Sequence, residues 1–301
     1  MKSLQLSKHS LQNPIDHLVT KSLRLLNRYN LEKFLPVKFN GKNVGFINED
    51  NYRLLFSKGF LKEKIQIDDI LSKNNFFFDE VFEYLIKSGF LKTNLREKCP
   101  VFDQESTNPR VNFSHYSKFG SDQIFSVERA LLSTFGFPAY GVHMNGWKLE
   151  NKKLIFLMAK RSQSVLNFKG LYDNLVGGGQ PSKISIIGNL EKESFEEANL
   201  ERNHLSNVEF SSVIRYMHTF KKKFSPSIIF SYNLQLDDDS VIKNNDGEIE
   251  SFHYFSVDEI FSLLKNEMIK PNCILPIIDF LLKYQKKIFS SKTIREIEKL
   301  I

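Results

Sequence analysis

Residues 172–200 read YDNLVGGGQPSKISIIGNLEKESFEEANL, and the rest of the chain is best understood outward from them. Gly177, Gly178 and Gly179 follow a short apolar run and open a loop in which the backbone can adopt conformations barred to other residues, or approach a ligand closely. A helix is expected to start between Ile186 and Asn189. Within it Glu193, Glu196 and Glu197 stand at i, i+3 and i+4, so their carboxylates crowd onto one face. Like charges at that spacing repel, and a hard divalent cation bound through oxygen is the natural compensation. An acidic string of this kind, met alone, is usually a solvated helix face. Here a glycine loop precedes it and Asn199 follows, a residue suited to the left-handed turn that ends a helix.

Upstream, FSVERALLSTFGF reads as a helix with Ser126 and Arg129 near its start, and YGVHMNGWKLE followed by KLIFLMAKR as a hairpin, with Leu154 to Met158 suited to a buried strand. Downstream, Ser227 to Leu236 and Ile249 to Val257 read as strands. Near the beginning, Pro14 to Asn30 has the apolar spacing of an amphipathic helix. FLPVKFNGKNVGFI is a hairpin turning at Asn40-Gly41, where both residues tolerate positive φ. FFFDEVFEYLIKSGF is a further helix ending at Gly89. Residues 99–120, with Asn108-Pro109 and Phe119-Gly120, turn polar and mark a linker or domain edge. Strand and helix signals mix without regular βαβ alternation, which argues for an α/β or α+β layer fold, organised as an accessory domain over residues 1–120 and a second domain over 121–301.

The chain has 301 residues, 41% hydrophobic and 26% charged, with 9 Pro and 14 Gly, the balance of a folded protein and not of a disordered or fibrous one. The apolar run from Ile274 to Leu282 is broken by Pro276 and Asp279, so no span is long enough to cross a membrane. No secretory leader is readable over Met1 to Leu18, and a cytoplasmic protein is expected. Two cysteines, Cys99 and Cys273, neither form a disulfide framework nor have zinc spacing, and read as buried thiols. The net charge of +7 is spread along the chain with one tight run, Lys221 to Lys223. That dispersal argues against a nucleic-acid surface and suits a polyphosphate substrate. Phe is frequent, at 28 residues, but clusters as in Phe76 to Phe78 and Phe82, as core packing requires.

The central stretch resembles the Nudix box, G-x5-E-x7-R-E-U-x-E-E-x-G-U with U apolar. Gly178 takes the first position, Lys192 the arginine, Glu193 the next glutamate, Glu196 and Glu197 the pair, and Leu200 the closing apolar residue. Ile184 replaces the first glutamate, Ser194 an apolar residue and Asn199 the glycine. The likeness extends to a subgroup with an extra N-terminal domain, related to the Nudix part of thiamine pyrophosphokinase fusions and to plant plastid Nudix proteins. It is carried by FLPVKFNGKNVGFI, FSVERALLSTFGFPAYGVHMNGW, FKGLYDNLVGGG, NDGEIESF and KPNCILPIIDFL. Non-acidic residues at the position of Ile184 are familiar in that subgroup.

The resemblance implies an α/β/α sandwich with a mixed sheet, preceded by a smaller α+β domain. It also implies Mg²⁺ (or Mn²⁺) held by Glu193, Glu196 and Glu197, with Glu193 either a third ligand or the base for the attacking water. Substrate contacts are expected from Gly178, Gly179, Arg161 and Glu248, the last standing for a distal acid brought in from a later loop; Lys160 is a weaker version of Arg161. Trp147, His143 and His218 are possible contacts to the organic part, although structural roles suit them as well. The implied reaction is hydrolysis of an organic diphosphate, thiamine diphosphate or its oxidised analogues, to the monophosphate. Hydrolysis of nucleoside diphosphate derivatives and a ligand-binding module with weakened turnover are the alternatives. The partner is a small-molecule diphosphate, with neither nucleic acid nor membrane involved and the oligomeric state open.

Overall fold

Helix α1 (Pro14–Leu26) buries Val19, Leu23 and Leu26 along one stripe, as its apolar spacing requires. A computed structural model of the chain describes residues 14–92, 96–103, 123–236 and 242–299. Strands β1 (Phe34–Phe39) and β2 (Lys42–Asn48) form the expected hairpin, with Asn40 at φ 47° and Gly41 at φ 77°. Helices α2 (Glu49–Ser57), α3 (Ile67–Leu71) and α4 (Phe77–Lys87) follow, and Gly89 at φ 72° lies just past the end of α4. Phe77, Phe78 and Phe82 are buried, but Phe76 is 63% exposed, just ahead of the helix.

The segment FSVERALLSTFGF departs from the helix expected of it. Phe125–Glu128 is strand β4, paired antiparallel with β3 (Lys98–Val101), and only Arg129–Phe135 is helical, as α5. Pairing of Cys99 with Val127 supplies partners that local periodicity does not reveal, and Gly136 at φ 63° stops the short helix. Part of the expected linker is therefore strand, while Asn108-Pro109 and Phe119-Gly120 lie outside the described residues. The reading of Met1 to Leu18 also falls mostly outside them.

The main sheet contains β5 (Ala139–Glu150), β6 (Lys153–Arg161), β7 (Tyr172–Asp173), β8 (Val176–Gly179), β9 (Glu209–Phe220), β10 (Lys223–Gln235) and β11 (Ile249–Ser256). Its backbone order is β11-β6-β5-β10-β9, with β7 beside β6 and β8 beside β5. The β5–β10 pair is parallel and every other pair antiparallel, so the sheet is mixed. Helix α6 (Ile186–Ala198) lies between β8 and β9 in sequence; α7 (Val257–Lys265), α8 (Ile274–Tyr284) and α9 (Ser291–Ile297) close the chain.

Alternation along the strands divides the apolar side chains between two layers. Leu154, Phe156, Met158 and Ile229 pack with α1, α7 and α8, while Val142, Met144, Leu157 and Phe230 pack with α6. Helices thus cover both faces, the α/β/α arrangement the sequence implied. A third core joins β1, β2 and α4 to β3, β4 and α5, from Val37 to Phe137. Among the described residues, no helix is long and apolar enough to cross a membrane.

Candidate active site

Ser185 caps α6, its Oγ accepting from the Gly188 amide at 3.0 Å, and Asn199 ends it in the left-handed conformation (φ 55°, ψ 28°). The helix so bounded carries Glu193, Glu196 and Glu197 beneath the glycine strand β8. Glu197 is buried, and its Oε2 accepts from the Gly177 amide at 2.8 Å. Glu193 lies under Gly178 so closely that a Cβ there would fall on its carboxylate. Asn189 donates to the Gly179 carbonyl at 3.1 Å and Gln180 to the Ile184 carbonyl at 2.8 Å. These amides brace the loop where the Nudix box has a glutamate and this chain has Ile184.

Charge in the cluster is unbalanced. Burial pushes both Glu193 and Glu197 above the usual carboxylate range; for Glu197 the neighbouring Asp173 adds to the effect, and for Glu193 the nearby Glu196 does. Lys192 sets its ammonium between Glu196 at 2.6 Å and Glu193 at 3.2 Å. Three carboxylates, two of them buried and one pair already drawing in an ammonium, are a donor set that fits a hard divalent cation.

These groups line one cleft of about 460 Å³ together with Gly177, Gly178, Gly179, Arg161 and Glu248. The distal acid is clipped to the helix end: Asn245 donates to the Phe195 carbonyl at 2.8 Å and to Asn199 Oδ1 at 2.9 Å, bringing the Asp246-Gly247-Glu248 turn over α6. Arg161 is buried at the cleft wall, with Nη1 3.2 Å from Asp173 and Nη2 3.6 Å from Glu248. Lys160 pairs instead with Glu250 at 3.0 Å, and neither it nor Trp147 or His218 lines the cleft. Trp147 packs against Phe280, ring centroids 5.3 Å apart, as a structural residue.

Several residues in the cleft or beneath its floor were not singled out in the sequence. Asp173 is fully engaged by Lys270 at 2.7 Å, by Arg161 and by the Cys273 thiol, which donates at 2.6 Å. Burial, the largest single influence, would raise its pKa, but Lys270, His143 and the Cys273 thiol together outweigh it and hold it down at about 2. His143 sits on the same floor. Asn174 Nδ2 donates to the carbonyl of Cys273 at 3.1 Å, which fixes its Oδ1 as acceptor, so His143 Nδ1, 2.7 Å away, carries the proton. Burial, helped by Lys270, lowers the His143 pKa to about 4. The ligand atoms of His143, Asp173 and Cys273 lie within 4.8 Å of one another, but a protonated Nδ1 and two cations on Asp173 make this a closed hydrogen-bond network and not a metal centre. Asp173 and Asn174 directly precede the glycine strand and Lys270 opens KPNCILPIIDFL, so both signals were visible as motifs without an assigned role.

No family model matches the chain. It is 39% identical over 167 residues to Nudix hydrolase 20, chloroplastic, of Arabidopsis thaliana, covering 55% of this chain and 45% of that protein. It is 29% identical over 259 residues to Nudix hydrolase 24, chloroplastic, of the same plant, covering 84% and 68%. An uncharacterized Saccharomyces cerevisiae protein, YJR142W, is 35% identical over 172 residues, covering 52% and 50%. The matches thus span about half the length of two of these relatives. Among solved structures, the NUDIX domain of Shewanella oneidensis NrtR complexed with ADP ribose superposes with a TM-score of 0.38 at 10% identity, over 58% of this chain and 99% of that one. A Caenorhabditis elegans Ap4A hydrolase gives 0.36 at 13% identity, over 48% and 99%. With the glycine strand set against the glutamates of the box, and with curated Nudix hydrolases 29% and 39% identical to it, the chain is similar to members of the Nudix family.

Proposed function

We propose that the chain is a metal-dependent hydrolase of an organic diphosphate. The observation that carries this reading is the convergence of Glu193, Glu196 and Glu197 with the glycine strand in one cleft that also holds Arg129, Lys192 and Lys270. Phosphoanhydride cleavage needs neutralised phosphoryl oxygens and an oriented water more than a covalent nucleophile. Mg²⁺ or Mn²⁺, held by the three glutamates, would supply charge neutralisation and polarise the substrate. The chain's own groups do the rest. The glycines leave backbone free of side chains on the approach to the carboxylates, and Asn189, Gln180 and Asn245 fix the loop and the far end of the helix. Glu193, nearly buried with a raised pKa, has the environment of a group that takes a proton from water, and third-ligand duty suits it equally.

Thiamine diphosphate or its oxidised analogues, cleaved to the monophosphate, are the substrates we favour. The support is the likeness to the subgroup with an extra N-terminal domain. The purified chain with Mg²⁺ should cleave at least one of thiamine diphosphate derivatives, nucleotide sugars, dinucleotides and damaged nucleotides, read as free phosphate for the first and as organic monophosphate products for substrates whose diphosphate is substituted at both ends. Failure on the whole panel, with Mn²⁺ tried as well, refutes hydrolysis; cleavage of nucleotides alone moves the substrate to the nucleoside class. The position of Lys192 between two of the glutamates favours, as second reading, a binding module with weakened turnover, for which calorimetry would find tight binding without product.

Division into residues 1–120 and 121–301 and residence in the cytosol are parts of the same proposal. Because α1 packs with the main sheet and α5 with the smaller core, limited proteolysis near the boundary should leave the two pieces associated.

A further inference from the structure

Among the described residues, five cations line the cleft beside the glycine strand, and four are committed to internal carboxylates, Arg96 to Glu83 among them. Arg161 and Lys270 both hold Asp173, and Lys192 lies between Glu193 and Glu196. Arg129 is arranged differently. Its backbone amide donates to the Glu97 carbonyl at 2.8 Å, and its Nε pairs with the Glu97 carboxylate, so one residue fixes both main chain and side chain. The terminal nitrogens then lie flat along the glycine strand. A Cβ at Gly179 would come within 2.5 Å of Nη2 and 2.8 Å of Nη1. Gly179 is therefore the residue that allows this seating, and 43% of the Arg129 side chain is accessible.

The two neighbouring glycines divide the work. Gly178 faces Glu193 and Gly179 faces Arg129, so carboxylate and guanidinium flank successive residues of one strand, as its alternation dictates. A diphosphate drawn to a cation at the glutamates would have its remaining oxygens within the same cleft as the guanidinium edge. Glu97 takes Nε, and the paired Nη groups match the geometry of two phosphate oxygens.

We propose that Arg129, oriented by Glu97, is the residue that grips the substrate's phosphate, so that the small N-terminal core supplies a specificity determinant to the cleft. This inference rests on the diphosphate reading above. Arg129 and Glu97 both belong to the β3–β4–α5 unit, whose strands pair Lys98 with Glu128 between them. Through Glu97 the accessory segment would thus help complete the site and not merely precede it.

The test is calorimetric titration of the full chain, in Mg²⁺, with methylene diphosphonate, a diphosphate that cannot be hydrolysed. Arg129→Gln is expected to weaken binding by about tenfold or more. Arg129→Lys should recover little of it, since an ammonium lacks the fork and the Nε that Glu97 holds, and Glu97→Gln should show a smaller loss. Lys222→Gln, which removes the same charge at the distant Asp50 ion pair, should stay within about twofold of wild type. In turnover, Arg129→Gln should raise KM more than it lowers kcat. If Arg129→Gln fails to fold, Arg129→Lys and Glu97→Gln decide. Affinity unchanged in the Arg129 variants, or a wild-type chain that does not bind the probe, overturns the proposal. Arg129-dependent binding without hydrolysis of any organic diphosphate upholds it and refutes the reaction instead.

Discussion

The Gly177 amide donates to Glu197 Oε2 at 2.8 Å, tying the first residue of the glycine triplet to the last glutamate of the helix across nineteen intervening residues. Glu197→Gln keeps an acceptor for that amide while removing the charge. Activity should fall on the order of a hundredfold or more. Stability should move the other way. The Glu197 carboxyl is buried beside Asp173, so its ionised form is costly without a cation. In EDTA the variant should melt above wild type, and adding Mg²⁺ should raise the melting temperature of wild type only. A variant as active as wild type would remove Glu197 from the site.

Gly178 and Gly136 separate function from folding. At Gly178 an added methyl meets the end of the Glu193 side chain, which can swing away. Gly178→Ala should therefore cost under about 1 kcal/mol of stability yet lower activity at least about tenfold, because the carboxylate is displaced. At Gly136, φ is +63° and a Cβ would strike the backbone of Phe46. Gly136→Ala should cost about 2 kcal/mol or more with little effect on kcat in the folded fraction. Urea denaturation beside initial rates distinguishes the two.

How much of this was legible depends on whether the signal is local. Asn199 at φ 55°, Asn40 at φ 47° and the end of α4 at Gly89 follow from backbone preferences of single residues, and the sequence displays them. Phe125–Glu128 carries helical spacing, and only the pairing of Val127 with Cys99, distant in sequence, makes it a strand. Glu193, Glu196 and Glu197 announce themselves by spacing on one helix. Asp173 and Lys270 do not, because 97 residues separate the partners of that 2.7 Å contact. Arg161 illustrates the same limit: the sequence places it at a strand end, while its engagement with Asp173 and Glu248 depends on tertiary structure.

Ser194 stands where the Nudix box calls for an apolar residue, and the structure agrees with the box about the environment. The side chain is fully buried, and its hydroxyl has no hydrogen-bond partner among the described residues. Ser194→Ala removes an unsatisfied polar group without adding volume, and should stabilise the chain by about 1 kcal/mol. Alanine also favours the helix interior. A loss of stability on chemical denaturation would mean that the hydroxyl is satisfied after all.

The His143 network predicts a pH dependence of stability whose sign follows from its depressed pKa. In the unfolded chain the imidazole titrates near 6.5, and in the fold, buried beside Lys270, at about 4. Between those values the unfolded state binds the additional proton, so unfolding free energy rises with pH through the window. The contribution is complete above about pH 6.5 and is lost as pH falls towards 4, about 3 kcal/mol in all. Asp173, held at about 2 against an ordinary 3.8, adds a second loss at lower pH, fully present above 3.8 and gone as pH falls through 2. His143→Gln, which keeps a donor for Asn174 and cannot titrate, should flatten the upper window and narrow the lower one, because His143 helps hold Asp173 down. Urea midpoints measured from pH 4 to 7 on both proteins decide it; equal slopes would show that the histidine gains its proton on folding as readily as in the open chain.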